Sequence, residues 1–368
     1  MKSVLKPILL AGLALVLVSC GNAGRAGRIR LLNCLEASVD AGKILYGHQD
    51  DLCYGHSWKV EDPANDPLER SDVKDVCGQY PAVLGLELGE IELGGAASLD
   101  GVPFELIRRA AVKHVERGGV VTFSWHPRNI LTGGTAWDVS SDKVVTSILE
   151  GGENHGKFMD WLRILGDFFD SLRDADGKRI PFIFRPWHEH TASWFWWGKD
   201  LCSIDEYKAL FRMTFEYLAE KRGLDNIVWC YSPNLDVDAA GYMERYPGDD
   251  IIDILGLDAY TYDGGAEGNE LACELFRSKL IPTLEYLAKL GKEHGKLIAL
   301  SETGLEGLTS PDWWTATLYP CIKDFPLVYV LTWRNAWDRP GHFYGPWKGF
   351  ENENDFIEFT KLDKIVVL

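Results

Sequence analysis

A short, β-rich apolar run that ends in polar or aromatic residues recurs along this chain, and this repetition constrains the fold more than any other feature. The runs are KILYGHQ at 43, AVLGLELG at 82, VVTFSWH at 120, PFIFRPWHE at 181, NIVWCYSPN at 226, DILGLDAY at 253, LIALSETG at 297 and YVLTWRNAW at 329. Segments with helical apolar spacing separate most of them. Continuous apolar strands that alternate with helices favour a parallel sheet buried on both faces. Eight such units in one domain predict an α/β fold, the (β/α)8 TIM barrel.

Polar and aromatic residues stand at the carboxyl ends of these runs. They are Gly47-His48-Gln49, Glu87, Trp125-His126, His188-Glu189, Asn234, Asp258 with Tyr260, Glu302, and Trp333-Arg334. In a TIM barrel the carboxyl ends of the strands form the active-site face. The weakest unit is the connection between the fifth and sixth runs, which predicts only a short helix. The pattern therefore predicts an enzyme whose site lies at one end of the barrel.

The first residues, MKSVLKPILLAGLALVLVSC, read as an export signal. The apolar run from Ile8 to Val18 is far shorter than the roughly 20 residues that span a bilayer. The ending Leu17-Val18-Ser19-Cys20 resembles the bacterial lipobox, in which the cysteine is lipidated and becomes the mature first residue; an ordinary cleaved signal is the alternative. We assign residues 1–19 to a lipoprotein signal peptide, 20–28 to a flexible tether and 29–368 to a single barrel domain.

A lipid on Cys20 would attach the chain to a membrane without spanning it, which places it in the bacterial cell envelope. The residues that follow Cys20 hold no acidic cluster of the kind that directs lipoproteins outward in some bacteria. A periplasm-facing position is therefore expected. Protease treatment of intact cells tests this expectation, because release of the protein from whole cells would refute it.

Composition excludes several kinds of partner. The formal net charge is -17, and no basic patch interleaved with aromatic residues occurs, so binding to nucleic acid is not expected. The seven cysteines other than Cys20 include no C-x-x-C pair, which argues against zinc ribbons and thioredoxin chemistry. Most should be isolated buried thiols, although a disulfide or two is possible in an oxidising compartment. We expect a monomer with no cofactor and no metal.

Two glutamates suggest the chemistry. Glu189 ends the fourth run and Glu302 ends the seventh, 113 residues later. That is about 38 residues per unit, close to what a barrel of this size requires. Two carboxyls across a bowl suit glycoside hydrolysis, in which one acid protonates the leaving oxygen and one anion lies beneath the anomeric carbon. The segment FRPWHEHTASWFWWG supplies four tryptophans near Glu189, and such flat rings match the C–H face of a pyranose.

Each of these features also has a simpler explanation. A single glutamate at a strand end can cap a loop or pair with an arginine, a tryptophan cluster is more often packing than recognition, and isolated histidines are usually satisfied structural groups. The simpler explanations do not predict that all of these features fall on one face at matching strand ends.

The chain resembles glycoside hydrolase family 26, whose best-known members are β-mannanases. The resemblance extends from about Gly47 to Trp337 and rests on GHQDD at 47, FSWHP at 123, RPWHE followed by WFWWG, GLDAY at 256, SETG at 301 and TWRNA at 332. The pairing of WHE with WFWWG is highly specific, whereas SETG alone would be weak. His188 precedes the predicted acid, which fits this family; many related barrel glycosidases have asparagine there.

The resemblance implies a role for each matching residue. Glu189 would be the acid/base and Glu302 the nucleophile of a retaining double displacement. Tyr260 would orient the nucleophile by a hydrogen bond. The other implied roles concern the substrate. His126 and His188 would line the pocket of the cleaved sugar, Trp333 would stack on that sugar, Arg334 would reach the next sugar, and Trp194 would lie near the scissile bond.

One departure from the family concerns the leaving-group side of the cleft. Family members often carry Asn-Gly shortly after the acid/base, whereas this chain reads His190-Thr191-Ala192-Ser193. We favour an endo-acting β-1,4-mannanase that cleaves mannan, galactomannan or manno-oligosaccharides. An exo-acting mannobiohydrolase, a β-1,3-xylanase and a mixed-linkage β-glucanase are alternatives within the family.

Two other classes of protein share some of these features. A metal-dependent barrel hydrolase would also place histidines at strand ends, but it usually carries a His-x-His pair on the first strand, where this chain reads Gly-His-Gln-Asp. The His188-Glu189-His190 stretch is not the zinc motif H-E-x-x-H either. A non-catalytic glycan-binding lipoprotein is the other alternative, and the presence of both glutamates argues against it.

Overall fold

The computed structural model describes residues 24–262 and 269–368. Its strands are β1 Ile44–Gln49, β2 Tyr54–Gly55, β3 Trp58–Lys59, β4 Val83–Glu87, β5 Val120–Ser124, β6 Phe182–Arg185, β7 Ile227–Tyr231, β8 Ile254–Thr261, β9 Leu297–Leu305, β10 Leu327–Thr332 and β11 Ile365–Val366. Hydrogen bonds join β1, β4, β5, β6, β7, β8, β9 and β10 in that order, and β10 pairs with β1 to close the ring. Every pairing in the ring is parallel. The predicted TIM barrel is confirmed, and each of the eight apolar runs forms one barrel strand.

Helices surround the barrel. They are α1 Gly24–Asp40, α2 Asp72–Cys77, α3 Phe104–Glu116, α4 Val144–Ile148, α5 His155–Ser171, α6 Ile204–Phe215, α7 Ala239–Glu244, α8 Asn269–His294, α9 Tyr319–Ile322 and α10 Glu353–Thr360. Short π-helical turns occupy Glu216–Lys221 and Trp313–Leu318, and 3-10 turns occupy Ile91–Leu93 and Glu306–Leu308. The short α7 lies in the weakest unit of the sequence pattern, as predicted. No helix in this part of the chain combines the length and apolarity needed to cross a membrane.

Local sequence signals explain where some helices begin and end. Ser203 caps α6, because its hydroxyl accepts from the backbone N–H of Glu206 while the Glu206 carboxylate accepts from the backbone N–H of Ser203. Gly223 and Gly295 have φ of 63° each, the left-handed conformation that glycine adopts most readily after a helix.

Helix α1 closes the amino-terminal end of the barrel. Its residues Leu31, Cys34 and Leu35 join the interior core formed by inward-facing strand residues such as Leu45 and Ile183. The helix contacts the neighbouring strands β1 and β10 and also β7, which lies on the opposite side of the ring from β1. The interior of an eight-stranded barrel is filled by side chains, and residues of α1 contribute to this core at the amino-terminal ends of the strands.

The assignment of residues 20–28 to a flexible tether is wrong for residues 24–28, which belong to α1. The reason is a long-range contact: Arg28 donates from Nε to the carbonyl oxygen of Ile227 at 3.0 Å and forms an ion pair with Asp253. Neither partner can be inferred from the local sequence. Cys20 and the predicted signal peptide lie outside the described residues.

The prediction of isolated thiols is confirmed for most cysteines of the described ranges. The free thiols are Cys53, Cys77, Cys202, Cys230, Cys273 and Cys321, of which Cys77 is half-buried and the others are buried. Because these side chains are buried in the packed core, they act as small apolar groups.

Candidate active site

The chain turns sharply where β6 ends, and this turn places Glu189. Trp187 has φ of 56° and Glu189 has φ of 52°. Such a left-handed conformation costs a non-glycine residue about 1–3 kcal/mol and persists only where neighbouring groups hold it. Tyr207 donates its hydroxyl to the carbonyl oxygen of Trp187 at 2.8 Å, and the backbone N–H of Glu189 donates to the carbonyl oxygen of Ser232 at 2.8 Å. The strained backbone therefore includes Glu189, the residue that the sequence predicts to be the acid/base.

Glu302 lies on β9 with both carboxylate oxygens engaged. The hydroxyl of Tyr260 donates to Oε2 at 2.6 Å, and the guanidinium of Arg185 donates to Oε1. Arg185 also donates to Oδ2 of Asp258 at 2.8 Å. Glu302, Arg185 and Asp258 are all buried. The positive charge and the two donated hydrogen bonds stabilise Glu302 as a fixed anion.

Glu189 lies in an opposite environment. Loss of water around its carboxyl group, followed by the negative charges of Glu302 and Asp258, raises its pKa well above the ordinary value. The indole N–H of Trp194 donates to Oε2 of Glu189 at 2.8 Å and partly opposes that shift in pKa. The raised pKa lets this carboxyl group hold a proton at neutral pH, whereas Glu302 faces the positive guanidinium of Arg185. One cavity thus contains a proton donor and an anion.

A cavity of about 270 Å³, the central cavity, contains both glutamates. Its walls are His126, Trp137, His188, Glu189, Phe195, Tyr260, Thr261, Tyr262, Glu302, Glu306, Trp333 and Tyr344. Aromatic rings dominate this lining. A cavity that combines aromatic walls with several convergent polar groups is typical of a small-molecule site, and this one can hold a single sugar ring.

Glu87 at the end of β4 orients His126 directly, and His126 in turn contacts His188. Glu87 accepts from Nδ1 of His126 at 2.8 Å and from its backbone N–H at 2.9 Å. Burial opposes both charges, but the ion pair prevails: the pKa of His126 is raised and that of Glu87 is lowered. Burial lowers the pKa of His188 well below its ordinary value. Nε2 of His188 lies 3.0 Å from Nε2 of His126, and the opposite pKa shifts of the two rings favour His126 as the donor of this hydrogen bond.

A second cavity, the arginine cavity, continues from the central cavity and shares His126, Trp137 and Trp333 with it. Its volume is about 420 Å³, and its other walls are Glu87, Leu99, Asp100, Arg334, Asp338, Arg339 and His342. Arg334 is buried; its Nη1 forms an ion pair with Oδ1 of Asp100 at 3.0 Å and lies 3.3 Å from the hydroxyl of Tyr54. These contacts fix the guanidinium at one place in the cavity wall.

A third cavity, the leucine cavity, shares Glu189, Tyr260 and Tyr262 with the central cavity. It has a volume of about 430 Å³, and its other walls are Trp194, Asn234, Leu235, Asp236, Asp258, Leu271, Ala272, Leu275, Phe276 and Lys279. Because the arginine and leucine cavities share different residues with the central one, the three form a single cleft. Glu189 lies between the central and leucine cavities.

The structure gathers the residues that the sequence singled out. His126, His188, Glu189, Tyr260, Glu302 and Trp333 line the central cavity, Trp194 lies in the leucine cavity against Glu189, and Arg334 lies in the arginine cavity. Among the described residues, no group of three or more His, Cys, Asp or Glu side chains could hold a metal ion. The histidine ring nitrogens that contact neighbours here bond to one another and to Glu87.

The sequence reasoning missed Arg185 and Trp137. A signal for Arg185 existed: it follows Ile183 by two positions, so it shares the inward face of β6, and a charge inside a barrel requires a counter-charge. Trp137 stacks on His126 with ring centroids 5.2 Å apart and planes 11° apart, and it is 50% exposed. It lies in a long loop without periodicity, so nothing in the local pattern identifies it.

Comparisons with known proteins show which family the chain resembles. A model of glycosyl hydrolase family 26 matches residues 24–297, which include Glu189 and end before Glu302. A mannan endo-1,4-β-mannosidase of Bifidobacterium adolescentis is 28% identical over 341 residues, covering 88% of this chain and 33% of that protein. A mannan endo-1,4-β-mannosidase of Bacillus subtilis is 32% identical over 273 residues, covering 72% and 69%. The chain thus spans a third of the length of the first relative.

Solved structures extend the similarity over nearly the whole chain. A family 26 β-mannanase from Bacteroides ovatus superposes with a TM-score of 0.86 at 45% identity, covering 92% of this chain and 94% of that one. The catalytic domain of an endo-β-1,4-mannanase from Bacillus sp. JAMB-750 gives a TM-score of 0.81 at 32% identity, with 92% and 91% covered. Both similarities cover most of the barrel domain.

Proposed function

This chain belongs to glycosyl hydrolase family 26, and we propose that it is an endo-acting β-1,4-mannanase that cleaves mannan with retention of configuration. The observation that carries the proposal is the contrast between two carboxyl groups in one cavity. Glu189 has a pKa raised well above its ordinary value, whereas Glu302 is held as an anion by Arg185 and Tyr260. A retaining glycosidase needs one protonated carboxyl and one charged carboxylate at the same bond. The choice of β-1,4-mannan as the substrate rests on the relatives, which are mannan endo-1,4-β-mannosidases.

In the first step, an oxygen of Glu302 attacks the anomeric carbon of the sugar in the central cavity. The bond to the leaving oxygen breaks, and Glu189 gives that oxygen its proton. Arg185 and Tyr260 hold the attacking carboxylate in place, which saves the entropy of aligning it. The products of this step are a shortened chain and a glycosyl ester of Glu302.

In the second step, Glu189 is now an anion and removes a proton from a water molecule. The water oxygen attacks the anomeric carbon, and Glu302 leaves as a carboxylate. Two inversions give net retention. Glu189 ends the cycle protonated, ready for the next substrate.

Sugar recognition is divided between the central and arginine cavities. The ring of Trp333 offers a flat apolar face to the sugar that is cleaved, and the His126–His188 pair, whose contacting nitrogens bond to Glu87 and to each other, forms part of the wall around that sugar. Arg334, held by Asp100 and Tyr54, would donate to the hydroxyl groups of the next sugar. Because Arg334 is already ordered, binding does not have to immobilise it.

The proposal predicts that the purified enzyme releases reducing ends from β-1,4-mannan. An endo-acting enzyme cuts inside the chain, so the viscosity of soluble galactomannan should fall before many reducing ends have formed. A reducing-sugar assay combined with viscometry measures both quantities. The same assay on β-1,3-xylan and on mixed-linkage β-glucan is the control for substrate preference. If either polymer is cleaved faster than mannan, the assignment of the polymer is wrong, and if none is cleaved, the protein is a glycan-binding lipoprotein.

One observation favours an exo-acting mannobiohydrolase as a second candidate. The loop that carries Leu99 and Asp100 contacts the loop after β10, since Asp100 pairs with Arg334 and its carbonyl oxygen accepts from the indole of Trp337 at 3.4 Å. Leu99, Asp100 and Arg334 thus form one wall of the arginine cavity. An enzyme closed in this way would release mannobiose while viscosity stays nearly constant, the opposite of the endo pattern.

Tyr260→Phe should lower kcat on mannan by about 100-fold with little change in KM, because only the hydrogen bond that orients Glu302 is lost. Steady-state kinetics on mannopentaose measures both constants. Tyr217→Phe, which removes a hydroxyl from the π-helical turn after α6, is the matched control and should behave as wild type. A rise in KM without a fall in kcat would show that Tyr260 binds substrate and does not position the nucleophile.

A further inference from the structure

Two carboxyl groups flank the one arginine that is buried in the wall of the arginine cavity. Nη1 of Arg334 lies 3.0 Å from Oδ1 of Asp100 and 3.3 Å from the hydroxyl of Tyr54. Tyr54 in turn donates its hydroxyl to Oδ2 of Asp50 at 2.9 Å. Nε and Nη2 of Arg334 form no hydrogen bond with any residue of the described ranges 24–262 and 269–368. One nitrogen therefore anchors the guanidinium, and the others remain for a sugar.

The backbone fixes Asp50 directly after β1. Its φ is 57°, a left-handed conformation that aspartate and asparagine adopt more readily than most residues. Its N–H donates to the carbonyl oxygen of Gly85 at 2.7 Å, and its own carbonyl oxygen accepts from the N–H of Cys53 at 2.8 Å. Asp50 is only 1% exposed and lines none of the three cavities of the cleft. It can affect a bound sugar only through Tyr54 and Arg334.

The cluster cannot keep both of its carboxyl groups charged. Arg334 supplies one positive charge, whereas Asp50 and Asp100 together could supply two negative charges, and an unpaired buried charge is costly. Loss of water, followed by the charge of Asp100, raises the pKa of Asp50 to about 8. The pKa of Asp100 is raised less, to about 6, because Arg334 opposes the effect of burial. At neutral pH Asp50 is therefore an uncharged acid, and Asp100 is the charged partner of Arg334.

The other ionisable groups around Asp50 offer it no further counter-charge. Two acidic neighbours are engaged by protein groups, Glu87 by His126 and Asp51 by His48 and Ser71. Two more stay neutral because burial raises their pKa, the thiol of Cys53 and the phenol of Tyr54. The charge of the exposed Arg339 acts on Asp100, whose pKa it helps to lower. The charge balance at Asp50 thus depends on Arg334 and Asp100.

Building on the proposed function, we propose that Asp50 is a positioning residue for the second sugar: as a neutral acid it holds the hydroxyl of Tyr54, and through it Arg334, in the arginine cavity. Tyr54 can accept from Arg334 only while its own proton is directed to Asp50. Ionised Asp50 is a second carboxylate for the same guanidinium and draws it away from Asp100 and from the cavity. Recognition of the second sugar should therefore weaken as Asp50 loses its proton.

The test compares two donors with the same 2,4-dinitrophenyl leaving group. The β-mannoside fills only the central cavity, whereas the second sugar of the β-mannobioside reaches the arginine cavity. The ratio of kcat/KM for the mannobioside to kcat/KM for the mannoside measures the contribution of the second sugar, and the titration of Glu189 cancels in this ratio. In the wild type the ratio should fall at least about fivefold between about pH 6.5 and about pH 9.5. The fall should appear as a rise in KM of the mannobioside with little change in its kcat.

Variants connect this pH dependence to Asp50. Asp50→Asn keeps an acceptor for Tyr54 and suits the left-handed backbone but cannot ionise, so its ratio should stay within about twofold of wild type at about pH 6.5 and should not fall with pH. Asp50→Ala and Tyr54→Phe break the relay and should lower the ratio at least about tenfold at every pH. Tyr242→Phe removes an equally buried hydroxyl, which donates to the carbonyl oxygen of Gly256 at 2.7 Å, and should leave the ratio unchanged.

Two outcomes would overturn this inference without touching the glycosidase. One is a ratio that is constant with pH in the wild type or that falls equally in Asp50→Asn. The other is a ratio within about twofold of wild type in Tyr54→Phe, a variant that keeps Asp50 and whose folding a thermal melt checks. Release of dinitrophenol from the mannobioside upholds the glycosidase in both outcomes. No release from either donor would overturn the proposed function and this inference together.

Discussion

Replacement of Glu302 by alanine should lower kcat on mannan by at least about 10⁵-fold, because the carboxylate that carries the sugar between the two steps is gone. The protein should remain folded. Removal of Glu302 also leaves Arg185 with Asp258 as its remaining carboxylate partner, so circular dichroism and a thermal melt must accompany the kinetics. Reducing-sugar release and initial rates on an aryl β-mannobioside give the loss in activity.

Glu306→Ala provides a matched control for this variant. Glu306 is the other glutamate on the same side of the central cavity, four positions further along, where it pairs with Nδ1 of His342 at 2.6 Å. Its removal should cost less than about tenfold in kcat, the loss of an exposed contact. If Glu306→Ala were as damaging as Glu302→Ala, the nucleophile would have been assigned to the wrong carboxylate.

Azide distinguishes a lost nucleophile from a lost structure. In Glu302→Ala, azide can occupy the space of the missing carboxylate and attack an aryl β-mannobioside directly. A single displacement inverts the anomeric carbon, so the product should be an α-mannobiosyl azide. NMR of the first-formed product measures the configuration. A β-azide from this variant would mean that a covalent intermediate still forms on another residue.

The barrel strands could be read from the sequence because each is a continuous apolar run, the pattern that burial on both faces imposes on a parallel sheet. The site face followed from the strand ends, since topology brings those ends together whatever the distance along the chain. Helix α1 could not be read in the same way. Residues 24–28 lack an apolar face, and the contact that orders them joins Arg28 to Asp253, 225 residues away.

Side-chain environments in the site show a similar division. The identities of Glu189 and Glu302 were readable, but their opposite electrostatic surroundings were not, since these depend on Arg185, Asp258 and Trp194 meeting them in space. Trp137 lies on a loop whose position over the cleft follows only from the closed barrel. The sequence therefore predicted which groups react, and the structure was needed to explain why each has its role.

Glu189→Ala should nearly abolish hydrolysis of mannan, with a loss in kcat of about 10⁴-fold, because its leaving oxygen needs a proton. An aryl β-mannobioside with a good leaving group needs none, so its first step should survive and the glycosyl ester of Glu302 should accumulate. That accumulation lowers KM together with kcat. Mass spectrometry of the quenched enzyme should detect the added sugar. Azide attacks the ester without a base, so it should restore turnover and give a β-mannobiosyl azide of retained configuration.

The pH profile gives an independent test of the same residue. Glu189 must be protonated to act, so kcat/KM of the wild type should fall as pH rises through the pKa of Glu189, which loss of water and the charges of Glu302 and Asp258 raise. Glu189→Ala should lack this alkaline limb on the aryl substrate. Trp194→Phe removes a hydrogen bond that lowers the pKa of Glu189, so its alkaline limb should move to higher pH. An alkaline limb that persists in Glu189→Ala, or one that moves to lower pH in Trp194→Phe, would show that another group donates the proton.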